Sequence, residues 1–385
     1  MASQPSLTYA YEAAVYLEER TGILESDDSL GYSLIESPHV TSDYSLENIA
    51  RFPIPFMIGL GRAATSYIDL SRNHEPKPWP HGNIEEVEIG KQLRPVMVTQ
   101  PNPEHCTDPN NAINEVMFMG LTELNEGSHR FYHEDLAKAR PDRRIISIMT
   151  PGISSHGPVL NPLEGLTRLL DTTAEEYLQA LPNLTHDGII NIYGTSLGSV
   201  ISFHLAALNL ARNNYQKLNI GVIKLASPAA GARDVHENEK FNIDDASNQK
   251  YIRDVRNRFF LHMPQDAARM ALRHPEKAGE CMSVALIYSM DIGKHIPRLF
   301  TLVGNLKSAQ QGIDWETMKY VSRSHKLKVI GGEDDPLMKE QLPQYLKLKE
   351  LTQNVDIKIL RNYGHALTLD SESVVRHLNE MEHAA

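Results

Sequence analysis

From residue 84 onward, short apolar runs alternate with helix-length segments, and this alternation restricts the fold more than any other feature of the chain. The runs are IEEVEI (84–89), RPVMVTQ (94–100), EVMFMG (115–120), RIISIM (144–149), GIINIYG (188–194), IGVIKLASP (220–228), KLKVIGG (326–332) and VDIKIL (355–360). Several are apolar at consecutive positions, as strands covered on both faces are. Between them lie segments of helical composition: 129–140, 162–181, 197–212, one from 336 and a last one from about 371. In 162–181, Leu163, Leu166, Leu169, Leu170, Tyr177, Leu178 and Leu181 keep one helical face apolar. The pattern predicts an α/β fold, a mostly parallel central sheet covered by helices on both faces, with the first two runs forming a hairpin.

Two stretches depart from the alternation. Residues 229–324 are polar at first and then helical (QKYIRDVRNRFFLHM, QDAARMAL, CMSVALIYSM), which reads as an inserted helical unit. Residues 1–80 form a helical extension: 8–20 has helical spacing through Tyr11, Ala14, Tyr16 and Leu17, and 45–72 reads as a second helix bent or delayed by Pro53 and Pro55. The Pro-rich EPKPWPHG then acts as a semi-stiff connector. The core is therefore assigned to 81–228 and 325–385.

Composition removes several function classes. Apolar residues make up 41% and charged residues 23%, enough for a sizeable core and too apolar for a disordered chain. The net charge of −11 repels phosphate backbones, so no nucleic-acid partner is expected. Cys106 and Cys281 are too few for a disulfide framework or a Cys-rich zinc site, and both read as unreactive thiols. No stretch of 18 apolar residues and no basic-then-apolar leader is present, so a soluble, cytoplasmic protein without a membrane span is expected. There is no GxGxxG or Walker loop, and HEDL at 133–136 lacks a second histidine, so no nucleotide, metal or other cofactor is expected.

The residues most suggestive of chemistry are Gly194-Thr195-Ser196-Leu197-Gly198. A strand ends at Tyr193 and a helix begins at Leu197, so Ser196 sits on a sharp strand-to-helix turn that small flanking residues make sterically feasible. The helix N-terminus points free amides at charge forming beside the hydroxyl. A serine hydroxyl is a weak nucleophile until a base accepts its proton, and that base needs a carboxylate to orient it. Glu333-Asp334-Asp335-Pro336 follows the run 326–332, and Arg361-Asn362-Tyr363-Gly364-His365 follows 355–360. Both groups fall at the carboxyl edge of the sheet, where open α/β sheets place their ligands. Among the acids Asp335 is preferred to Asp334, with Glu333 and Asp334 read as solvated loop charges. His204, eight residues after the serine, reads as an ordinary helix residue.

The order GTSLG, GEDDP and GHA resembles the α/β-hydrolase superfamily over roughly residues 84–385. The resemblance implies Ser196 as nucleophile, Asp335 as acid and His365 as base. The family acid commonly stands three residues after a glycine; Gly332 to Asp335 fits, and Gly331 to Asp334 fits as well. RIISIMTPGISSHG resembles the family's fourth strand and the loop after it, so Pro151-Gly152 is not the oxyanion loop. That loop is placed at Met119-Gly120-Leu121, where relatives often carry His-Gly, and the implied oxyanion donors are the amides of Leu121 and Leu197. The insertion 229–324 matches the position of the family's lid. Phe259, Phe260, Met263, Met270, Leu286, Tyr288, Met290, Leu299 and Phe300 supply it with apolar surface, which implies a small-molecule substrate with an apolar portion. The expected function is a serine hydrolase of an ester or thioester. Same-fold lactonases, C–C bond hydrolases and cofactor-free haloperoxidases share such a triad, and a catalytically silent binding relative is the alternative of another class. The family offers no counterpart to residues 1–80. Their apolar side chains, from Phe52 to Leu70, are expected to dock on the core or lid, with a homodimer through this extension next and a membrane surface last.

Overall fold

The computed structural model describes residues 31–35, 45–61, 82–90, 92–106, 108, 112–118, 120, 128–148, 150, 160–167, 170–185, 188–211, 218–231, 265–282, 296–310, 312–365 and 367–383. The segment 8–20, most of the Pro-rich connector, Met119, Leu121, Pro151-Gly152 and the lid residues Phe259, Phe260, Met263, Leu286, Tyr288 and Met290 lie outside them.

The described strands form a nine-stranded sheet. In chain order they are β1 (Ser33–Ile35), β2 (Asn83–Ile89), β3 (Gln92–Thr99), β4 (Asn114–Phe118), β5 (Arg144–Ile148), β6 (Ile190–Thr195), β7 (Ile220–Ala226), β8 (Lys326–Gly332) and β9 (Val355–Leu360). Across the sheet the order is β1-β9-β8-β7-β6-β4-β5-β3-β2. β2 and β3 make the expected antiparallel hairpin, β3 runs antiparallel to β5, and the remaining pairs are parallel. The crossing of chain order matters: β4 lies between β5 and β6, so the loop leaving β4 emerges beside the turn that leaves β6.

Strand period and double burial explain the apolar runs. Val116 and Phe118 of β4 and Ile146 and Ile148 of β5 face a core with the helices at 170–185, 197–211, 315–324 and 336–351. The residues of opposite parity, Met117 and Ile145, join a second core with Tyr132, Leu136, Val374, Leu378 and Met381 of the helices at 128–139 and 371–383. β4 and β5 thus bury both of their rows.

On this second face the inward row also carries charge near the amino ends of the strands. Glu115 is paired with both Arg143 and Lys224, and Glu382 accepts from Arg143 at 2.5 Å and Lys224 at 2.9 Å. Burial pulls the Lys224 ammonium down to about 8. Burial also opposes ionisation of Glu382, but Arg143 and Lys224 outweigh it and hold the carboxyl at about 2. Buried charge survives there because every member has an opposite partner within reach.

Residues 1–80 contain more than helix. The polar stretch between the two helical segments includes β1, whose Ser33, Leu34 and Ile35 pair with Lys358, Ile359 and Leu360 on the sheet edge. Farther on, α1 (Leu46–Arg51) is capped by the Ser45 hydroxyl, which accepts from the Asn48 amide at 3.1 Å. A second helical run, α2 (53–61), follows after an interruption at Phe52, where Pro53 supplies no amide. α2 crosses the inserted segment closely. A Cβ on Gly59 would stand 2.0 Å from the Glu276 carbonyl oxygen, and one on Gly279 would stand 2.2 Å from that of Phe56.

Candidate active site

The turn after β6 is built for a close crossing. Ser196 has φ +45°, in the left-handed region where non-glycine residues are strained. Two ladder-like bonds hold the strain, with the Ser196 amide donating to the Ala226 carbonyl at 3.1 Å and the Ala229 amide donating to the Ser196 carbonyl at 3.0 Å. The helix starting at Leu197 (Leu197–Ala211) then turns back over the strand, which is why residue 194 is glycine: a Cβ there would meet the Ser202 hydroxyl at 2.3 Å and the Gly198 carbonyl at 2.8 Å. The Ser196 hydroxyl sits at the carboxyl edge of the sheet, in a residue only 7% exposed.

Two further loops leave the same edge. After β8, Asp335 opens the helix Pro336–Leu351; its Oδ1 accepts from the Leu337 amide at 2.9 Å, the usual N-cap bond, with Pro336 in the first turn where no amide partner is needed. Its Oδ2 lies 2.9 Å from Nδ1 of His365, which follows β9. On the other side of the ring, Nε2 lies 3.0 Å from the Ser196 Oγ. Each ring nitrogen thus faces one partner, the Asp335 carboxyl on one side and the Ser196 hydroxyl on the other. Asp335, His365 and Ser196, 169 positions apart at the extremes, thus form one hydrogen-bonded line.

The neighbouring acid does something else. Asp334 has a side chain 43% exposed and pairs with Arg269 at 2.8 Å, while its amide donates to the Tyr363 carbonyl at 2.8 Å. Of the two acids that the glycine spacing allows, Asp335 is the one that lies 2.9 Å from His365 Nδ1.

Leu197 is the first residue of its helix, directly after Ser196, and Leu121 lies outside the described residues. Its neighbour Gly120 is described and packs against the serine; a Cβ there would lie 2.7 Å from the Ser196 Cβ and 3.1 Å from the Thr195 carbonyl. Gly120, two residues beyond β4, therefore lies directly against the turn after β6. His204 lies within the helix Leu197–Ala211, half-buried.

A helical run at 265–273 within the inserted segment, with a bend at His274 before Pro275, lies across the loops that carry Asp334 and His365. Asp266 accepts from the Gly364 amide at 2.9 Å, Arg269 pairs with Asp334, and the Arg273 guanidinium stands 4.7 Å from the centre of the Tyr363 ring. His274 approaches Asp370 at 3.5 Å, and the Tyr363 hydroxyl donates to the same carboxylate at 2.5 Å. Burial opposes the Asp370 charge, yet the bonds from His274, Tyr363 and Ser373 outweigh it and hold the carboxyl well below the usual range. These contacts had one signal in the sequence, the spacing of 266, 269, 273 and 274 on a single helical face. Among the described residues no group of His, Cys, Asp or Glu is arranged to hold a metal ion, and no helix is long and apolar enough to cross a membrane.

No protein-family model matches the chain, and no curated protein matches it in sequence. Solved structures do. The Cif epoxide hydrolase from Acinetobacter nosocomialis is 13% identical, with a TM-score of 0.53, over 83% of this chain and 96% of that one. A thermophilic esterase from Thermogutta terrifontis, crystallised with malate bound, is 14% identical with a TM-score of 0.47, over 79% of this chain and 98% of that one. At such identities the likeness speaks of architecture alone. With its sheet order and the three loops at one edge, the chain has the α/β-hydrolase fold.

Proposed function

We propose that this chain is a serine hydrolase of an ester or thioester, acting through an acyl-enzyme. The observation that carries the reading is the line Asp335–His365–Ser196 at 2.9 and 3.0 Å, with the serine on a strained turn. In this reading His365 Nε2 takes the Ser196 proton as Oγ attacks the acyl carbon, and Asp335 stabilises the imidazolium that forms. The carbonyl oxygen becomes an oxyanion, received by the amides of Leu197 and Leu121; one such donor is worth about 3 kcal/mol of barrier. As the tetrahedral adduct collapses, His365 returns its proton to the departing oxygen or sulfur. Water then attacks the acyl-enzyme with His365 as base, releasing the acid and restoring the serine.

The segment 229–324 serves as the lid in this reading, and it favours a small molecule with an apolar portion. Buried Met270 joins the core that Tyr363 also enters, which brings apolar lid surface to the base loop.

A fluorophosphonate probe tests the reading. Wild-type protein should be labelled at Ser196, and Ser196→Ala should abolish labelling while leaving the fold intact. A panel of p-nitrophenyl esters and thioesters of increasing acyl length should show turnover that rises with chain length. Labelling that persists at another serine in the alanine variant would sink the assignment.

A further inference from the structure

The geometry points to Asp266 as a positioning residue for His365, acting through the backbone amide of Gly364. This deepens the serine-hydrolase reading and rests on it for its catalytic meaning, although the contact itself does not.

Asp266 lies in the first turn of the helical run 265–273. An acid there ordinarily faces solvent or its own helix amides. Here the residue is only 6% exposed, and Oδ1 reaches out of its helix to an amide 98 positions away. That amide belongs to the residue directly before His365. The approach is so close that a Cβ on residue 364 would lie 2.3 Å from the Asp266 Cγ and 2.5 Å from each carboxylate oxygen, so a larger residue there would displace the Asp266 carboxylate.

The same peptide is braced from the opposite side. A Cβ on Gly332, at the end of β8, would lie 2.1 Å from the Tyr363 carbonyl oxygen and 2.5 Å from that of Gly364. The Asp334 amide also donates to the Tyr363 carbonyl. The backbone at 363–364 is therefore gripped between the acid loop and the inserted helix. The His365 ring inherits its position from that grip, and it must reach two partners at once, Asp335 on one nitrogen and Ser196 on the other. Two side chains cannot both be kept at hydrogen-bond distance if the peptide carrying the ring tilts. Losing Asp266 removes one jaw and leaves a buried amide without this acceptor. Because the acceptor is what matters, a neutral carbonyl in its place should serve almost as well.

The test uses the full-length protein and two readouts. One is the second-order rate of fluorophosphonate labelling. The other is the far-downfield proton of the His365–Asp335 hydrogen bond by NMR, assigned by its loss in His365→Gln. Asp266→Ala should label about 10–100-fold more slowly, the scale expected of a misplaced catalytic group, and should shift or broaden the downfield proton. Asp266→Asn should restore both. Arg269→Ala, which removes the partly exposed pair with Asp334, should leave the proton in place. If Asp266→Ala does not fold, Asp266→Ser, whose shorter side chain leaves its oxygen away from the Gly364 amide, is read in its place. An alanine or serine variant with wild-type rate and wild-type proton overturns the inference, as does an asparagine variant as impaired as alanine. If wild-type protein is never labelled yet the proton is lost in Asp266→Ala, the positioning contact stands and the hydrolase reading falls.

Discussion

Gly59 and Gly279 meet at the crossing of two helices, each placed where a Cβ would strike a backbone carbonyl of the other helix. Backbone cannot retreat as a flexible side chain can, so the crossing tolerates no larger residue at either point. Gly279→Val should push α2 away from 275–282 and cost about 1–3 kcal/mol, the usual range for overpacking. Thermal melting should fall by several degrees, and limited proteolysis should cleave between residues 36 and 81 faster than in wild type. Unchanged melting and cleavage would show that the crossing does not secure the N-terminal extension.

The two adjacent acids should separate by orders of magnitude. Asp335→Asn keeps an acceptor for the Leu337 amide but removes the charge that holds the His365 tautomer, and turnover should fall roughly 10⁴-fold. Asp334→Asn removes an exposed pair with Arg269, worth at most about 1 kcal/mol of stability, and should change turnover severalfold at most. The reverse ranking in kcat would reassign the acid.

Gly120→Ala probes the contact beside Ser196. Its methyl group would be 2.7 Å from the Ser196 Cβ, so either the loop or the serine must move. Labelling of Ser196 should slow by at least about tenfold, as expected when a reacting group is displaced, with the circular-dichroism spectrum unchanged. Wild-type labelling would show that the contact between Gly120 and Ser196 does not position the serine.

The buried charges at the amino end of the sheet should shape acid stability. Glu382 titrates at about 2 when folded and near its ordinary 4.5 when unfolded, so the unfolded chain binds more protons between these values. Its contribution is complete above pH 4.5 and is lost as pH falls toward 2, and Asp370 acts in the same sense. Glu382→Gln should flatten the acid limb measured by urea unfolding. It should also cost on the order of 3 kcal/mol at pH 7, because Arg143 and Lys224 lose a partner. Lys224 has a slope of the same sign in a different window: its folded form releases a proton near 8 and the unfolded form near 10.5, so the burial penalty on its charge is present below 8 and is relieved as pH rises toward 10.5. An acid limb identical in wild type and Glu382→Gln would assign the loss to other groups.

Strands β2 to β9, the helix starts at Leu197, Pro336 and Ser371, and the grouping of Ser196, Asp335 and His365 at one sheet edge were legible because each rests on a local rule: a strand in the sheet interior is apolar, and a turn residue is small. β1 was not legible. Ser33-Leu34-Ile35 is three residues long, sits in a polar context, and gains its strand character only from the edge of β9, 325 positions away in Ser33↔Lys358. Glu115 and Lys224 break up strand patterns and are stabilised by each other, which no window of the chain reveals. Asp266 reads as an ordinary first-turn acid until the loop it holds is seen above it.

The pairing of β1 with β9 also sets a timetable for synthesis. At roughly 5–20 residues per second, β1 leaves the ribosome some 15–65 s before its partner strand does. Through that interval the nascent chain carries a strand-forming segment whose backbone groups have nowhere native to bond. The early core can assemble around β2 to β7 without it. That edge of the sheet is sealed only once β9 has emerged.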